Sequence, residues 1–162
     1  MKNKVFMLLL SGLFVLASCK KEPEPEPESE RRFVVMDENG NELQSGVEFN
    51  YNTTGNDANL VLLVKNETNE TISLKTKLVE VNGTDGSQFE VCIGNCYPSM
   101  QLNVAYPLNG NFSVPAGGVT GPNDIHYLNH FTGNCYYTVE LYETDASGNK
   151  KGEAFLFKYV HQ

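Results

Sequence analysis

Tryptophan is absent from the 162 residues. The largest ring for stacking against a sugar is therefore missing, and aromatic contacts fall to Phe and Tyr. Bases are scarce as well, with 12 Lys and Arg against 20 Asp and Glu and a formal charge of -8. Beyond residue 32 only Lys65, Lys75, Lys77, Lys150, Lys151 and Lys158 oppose more than twice as many carboxylates. Such a field repels phosphate backbones and anionic lipid surfaces, and no basic stripe breaks it, so the sequence predicts no nucleic-acid partner. Sustained helical periodicity is missing after Met36. Nor is there a Gly-x-Ser-x-Gly elbow, a phosphate-binding glycine loop or a dinucleotide fingerprint, and the expectation is a non-enzymatic protein without a cofactor.

Long apolar runs are also lacking, with one short exception. Lys2 and Lys4 precede Val5-Phe6-Met7-Leu8-Leu9-Leu10, an apolar stretch that reaches Val15. Positive charge, a short apolar core and then small residues are the order of a secretory signal. The stretch falls short of the roughly 20 residues that span a bilayer. It closes on Leu16-Ala17-Ser18-Cys19, which resembles the lipobox of bacterial lipoproteins. That resemblance implies cleavage before Cys19, lipidation of its sulfur and a membrane partner held through the lipid anchor. Residues 1–18 are then the lipoprotein signal peptide.

Lys20 to Glu30 alternates Glu with Pro after two lysines. Proline removes backbone donors and like charges repel, so this run cannot build a core. Residues 19–32 are expected to form the lipidated cysteine and an extended stalk, ~40 Å long at about 3 Å per residue. An acidic run soon after the lipidated cysteine also resembles the export signal of surface lipoproteins in Bacteroides and its relatives. The expectation is an outer-membrane, lipid-anchored protein at the cell surface, the alternative being the periplasmic face.

From Phe33 the chain changes character, and residues 33–162 read as one domain of strands. Val47, Phe49 and Tyr51 alternate with polar residues; so do Ile72, Leu74, Thr76 and Leu78. Leu60-Val61-Leu62-Leu63-Val64 is apolar on both faces, as in a central strand. Phe89 and Val91 form another strand, Leu102 and Val104 another, and Phe112 and Val114 a further one. Cys135, Tyr137, Val139 and Leu141 share one face of a strand that turns at Asp145-Ala146-Ser147-Gly148-Asn149 into Ala154–Val160. About seven to nine strands with regular turn signals predict an all-β fold, a β-sandwich. The Val64-Lys65-Asn66-Glu67-Thr68 strand end, Cys92 and Cys96 followed by Tyr97-Pro98, the Val114-Pro115-Ala116-Gly117 loop and the closing Tyr-rich hairpin resemble the immunoglobulin-like modules of Bacteroides-type secreted proteins and lipoproteins. The resemblance implies a single immunoglobulin-like β-sandwich and a surface setting, not a reaction.

With Cys19 acylated, Cys92, Cys96 and Cys135 remain. Export into an oxidising compartment favours a Cys92–Cys96 disulfide, leaving Cys135 as a buried thiol; a bridge from Cys135 to either of them is the alternative. His126 and His130, four apart, are the candidate metal ligands, but the gap from Cys96 to His126 exceeds that of a compact finger. Two surface histidines near a loop, and no metal, are the expectation. Asp37-Glu38-Asn39-Gly40-Asn41-Glu42 carries its glycine in the fourth place, not the sixth of a calcium loop, and reads as a hairpin turn.

Binding remains. Tyr97, Tyr106, Tyr127 and Phe131, with Tyr136 and Tyr142, are candidate contact residues for a protein or glycan ligand, although core packing accounts for most tyrosines in such a domain. The function expected is a non-catalytic binding, adhesion or accessory module. The alternatives are a subunit of a fimbria-like surface polymer and a small inhibitor or metal-handling protein.

Overall fold

A computed structural model describes residues 31–162, so the expected signal peptide, Cys19 and the Glu/Pro run to Glu30 lie outside the described residues. Twelve strands form: β1 Phe33–Met36, β2 Val47–Tyr51, β3 Asn59–Val61, β4 Leu63–Asn66, β5 Ile72–Asn82, β6 Phe89–Ile93, β7 Asn95–Tyr97, β8 Ala105–Tyr106, β9 Phe112–Val114, β10 Ile125–Asn129, β11 Cys135–Thr144 and β12 Lys150–His161. The one helical turn among the described residues is Gly55–Ala58.

The count exceeds nine because short paired segments add to it. Leu62 separates β3 from β4, where a single extended run changes partner from β10 to β1. β7, β8 and β9 have only two or three residues each, too short to show a period. Leu102 makes only an isolated bridge to Leu78 and is 46% exposed, so the strand expected around Leu102 and Val104 is displaced to Ala105–Tyr106.

One layer runs β2-β12-β11-β5-β8, with β9 pairing the first three residues of β5 on the same side as β8; the second runs β3-β10-β6-β7 and is extended by the β1-β4 pair. The β11–β12 hairpin follows from two long alternating strands joined by an Asp-x-x-Gly-Asn turn. Asp145 Oδ1 accepts from the amides of Ser147 and Asn149 at 2.8 and 2.9 Å, and Gly148 takes the positive φ of +84° that the turn requires. Asp37 builds the same turn with Asn39, Gly40 and Asn41.

That first turn does not close a hairpin of β1 on β2. After a bridge from Met36 to Glu42 the chain crosses to the other layer, and β2 pairs with β12 in parallel. A parallel pair needs no local turn signal, so local sequence does not announce it.

Between the layers, Val35, Leu62, Val64, Val91 and Ile125 meet Ile72, Leu74, Leu78, Val139 and Leu141. The centre is aromatic. Phe89 stacks on Tyr137 at 3.9 Å and meets Tyr159 edge-on at 5.2 Å, while Tyr127 meets Phe157 edge-on at 5.0 Å. Each of the three central phenols finds an acceptor: Tyr127 on Thr76, Tyr137 on Asn129 Oδ1 and Tyr159 on the Ala58 carbonyl. Among the described residues no buried side-chain nitrogen or oxygen lacks a partner.

Candidate functional site

Strand register sets the two ends of the sandwich apart. Phe33, where the chain enters, pairs with Asn66, and the β11–β12 turn lies at the same end as Ile72. Arg31 and Arg32, assigned from sequence to the stalk, are instead fastened to this end of the domain. Arg31 donates to the Phe33 carbonyl and lies over the rings of Phe33 and Phe155. Arg32 pairs with Glu70 and, at 3.5 Å, with Glu143. The opposite end carries the Asp37–Asn41 turn, residues 52–58, residues 83–88, residues 130–134 and the end of β12.

At this remote end β2 is the outermost strand of its layer, and β3 the outermost of its path. Two shallow hollows lie there. One, of about 200 Å³, is lined by residues that include Asp37, Glu38, Phe49, Tyr51, Asn59 and Leu60. The other, of about 280 Å³, is lined by Asn50, Tyr51, Asn52 and Gln162. Tyr51 belongs to both. Its ring stacks on Tyr159 at 4.5 Å, and burial, reinforced by the negative charge of Glu38, pushes its phenol up to about 12. The hydroxyl therefore stays a neutral donor and acceptor at any physiological pH. An apolar ring, a neutral hydroxyl and several side-chain amides in one place suit a polar, hydrogen-bonding ligand.

The contact residues expected from sequence are distributed differently. Tyr127 is fully buried and Tyr106 is 3% exposed, so neither ring is a contact surface; both are core. Tyr97 and Tyr106 meet at 5.0 Å and close the edge between β7 and β8. Tyr142 is buried against Lys77 on the outer face of β11, and Tyr136 donates to Glu80 there. Phe131 is half-buried in the loop after β10, at the remote end. Phe49 and Tyr51 were legible only as the apolar side of a strand. Their position at a sheet edge follows from the parallel pairing.

The outer face of the β3-β10-β6-β7 layer holds Cys92, Cys96, His126 and His130. Cys92 pairs directly with Cys96 on one side and with His126 on the other, and the structure joins the two sulfurs in a disulfide. Cys135 is free and buried, and burial pushes its thiol upward. His126 and His130 do not share an ion, because four residues of strand separate them by ~13 Å. His130 Nε2 lies 3.0 Å from Glu90 Oε2, whereas one ring nitrogen of His126 and the two sulfurs all lie within 4.8 Å of one another.

No protein-family model matches the chain, and no curated protein matches it. Solved structures do. The N-terminal domain of PorA is 14% identical with a TM-score of 0.51, covering 80% of this chain and 97% of its own. WR4, a C. elegans MSP family member, is 16% identical with a TM-score of 0.38, covering 71% and 92%. A PapD-like domain of human CEP192 is 11% identical with a TM-score of 0.39, covering 96% and 97%. At such identities the likeness concerns the fold alone. That fold is an immunoglobulin-like β-sandwich.

Proposed function

We propose that the chain is a lipid-anchored binding module on the outer surface of a bacterial outer membrane, engaging a protein or glycan through the end of the sandwich remote from its anchor. The observation that carries this is the opposition of the two ends. Arg31 and Arg32 are fastened to one end, which also carries a polar hollow of about 420 Å³ lined by Glu70, Glu143 and Lys151, and the hollows around Tyr51, with its stacked ring and neutral hydroxyl, open at the other. A Glu/Pro spacer of ~40 Å would hold that end well clear of the headgroups. The sequence from Lys2 to Cys19 supports the anchor, and the acidic run after it supports the outward orientation.

The test has three arms. Cys19→Ala should move the chain from the detergent fraction to the soluble one. Protease added to intact cells should remove the domain. A glycan array and a cross-linking pull-down with the full chain should yield a ligand whose affinity drops more than about tenfold in Tyr51→Ala and Asn52→Ala, by the loss of one central contact. A chain that stays with membranes after Cys19→Ala, a domain shielded on intact cells, or a ligand indifferent to both substitutions would overturn the reading.

A further inference from the structure

The row Cys96–Cys92–His126 crosses three adjacent strands on one outer face. Directly opposed residues in antiparallel strands point the same way with Cβ atoms about 5 Å apart, so the three side chains are held side by side by backbone pairing. We propose that Cys92, Cys96 and His126 form a thiol-gated site for Zn2+, closed while the sulfurs are bonded to each other and opened by a dithiol reductant. The inference stands independently of the binding-module reading.

Three features of the row fit this chemistry. Two thiolates and one imidazole are the donor types zinc prefers, and a three-residue gap between the cysteines is an ordinary ligand spacing. Tetrahedral coordination at about 2.3 Å to sulfur and 2.0 Å to nitrogen places these donors roughly 3.5–3.8 Å apart, and with the sulfurs still bonded all three already lie within 4.8 Å of one another. Two thiolates and a neutral ring also cancel the charge of the ion. The acidic domain raises the local concentration of cations, and Glu90 Oε1 lies 3.7 Å from Cys92 Sγ.

Accessibility sets the order of events. Cys96 is exposed on the edge strand and Cys92 is buried. A thiolate of the dithiol attacks Cys96 Sγ; the Cys92–Cys96 bond breaks and its electron pair leaves on Cys92. The second thiol of the reductant then closes its own disulfide and releases Cys96. The dithiol supplies both electrons and is oxidised. Zn2+ takes the two thiolates and the unprotonated nitrogen of His126, the two thiol protons pass to water, and the fourth position is left to solvent.

The experiment uses the full chain in detergent, reduced with a phosphine under nitrogen and desalted. Zn2+ is titrated in competition with a chromophoric chelator, and Co2+ serves as a spectroscopic probe. The reduced chain should take one equivalent of Zn2+ and show thiolate-to-cobalt charge transfer; the oxidised chain should take none. His126→Ala should weaken binding by about tenfold or more and change the cobalt visible bands, while His130→Ala should alter neither. Circular dichroism of the reduced, metal-free chain should keep its sheet signal. Reduction that unfolds the chain, a reduced chain that takes no ion, equal uptake by the oxidised chain, or indifference to His126→Ala would each overturn the proposal.

Discussion

The Tyr127 hydroxyl donates to Thr76 Oγ1 at 2.8 Å, linking the two layers through the middle of the core. Thr76 passes the connection on by donating to the Glu140 carbonyl at 3.0 Å. The two ends of this link are not equivalent. Tyr127→Phe leaves Thr76 bonded to Glu140 and should cost about 1 kcal/mol, whereas Thr76→Val strands a buried phenol and should cost about 2 kcal/mol. The double variant should be no less stable than Thr76→Val alone. Denaturant unfolding of the four chains checks this, and additive losses would contradict the link.

Asn66 organises the end of the sandwich that holds Arg31 and Arg32 from a fully buried position. Its Nδ2 faces the carbonyls of Glu70, Val114 and Pro115 at 2.8–3.0 Å, and its Oδ1 accepts from the amide and hydroxyl of Thr68. Asn66→Asp replaces the donor with an anion among carbonyls and should destabilise by about 3 kcal/mol or more at neutral pH. Thermal unfolding measures it. A loss no larger than that of an exposed substitution would mean the loops are held some other way.

Alkaline pH should dismantle the core. Burial holds the phenols of Tyr127, Tyr137 and Tyr159 above the ordinary range, and that of Tyr51 at about 12. A raised folded-state value means the native form grips these protons harder than the unfolded chain does. Their contribution is complete below the unfolded value of about 10 and is lost as pH climbs through the folded values. The denaturant midpoint should therefore be steady near pH 9 and fall steeply above pH ~10, with tyrosinate absorbance appearing together with unfolding. Smooth ionisation of all tyrosines near pH 10 in a folded domain would refute this.

Glu140 shows the opposite sign. Burial pushes its carboxyl upward, but hydrogen bonds and charge from Lys150 and Lys77, the latter at 3.1 Å, outweigh burial and hold it below the usual carboxylate range. Its contribution is present above the unfolded value and is lost as pH falls through the lowered one. Changing Lys77 and Lys150 together to Met should leave a buried, unpaired carboxylate and cost about 3 kcal/mol at pH 7. Much of that loss should be absent near pH 4, where the carboxyl protonates. Equal destabilisation at both pH values would show that lost packing, not charge, is responsible.

Alternation alone located β5 and β11 and the inward face of each, because a two-residue period is local and one-sided burial writes it directly into the chain. Cys135 and Tyr137 were legible as interior for that reason. The two Asp-x-x-Gly-Asn turns were legible from the Asp carboxylate and the Gly, yet only the second joins two long strands; the first closes a short antiparallel pairing of Val35 and Met36 with Glu42 and Leu43. How far such a pairing extends depends on where the chain goes next, and after Leu43 it changes layer.

The tyrosines mark the limit of local reading. Tyr51, Tyr127 and Tyr97 look alike in sequence, but one lines an open hollow, one is sealed in the core and one closes a sheet edge. The amino-acid order by itself determined that strands form and which of their faces is apolar. Only the folded arrangement decided that β2 runs parallel to β12, that His126 rather than His130 stands beside Cys92 and Cys96, and that Tyr51 lies at the end opposite Arg31. Those outcomes depend on pairing between segments far apart in the chain, and the energy of such pairing is shared between partners that neither segment specifies alone.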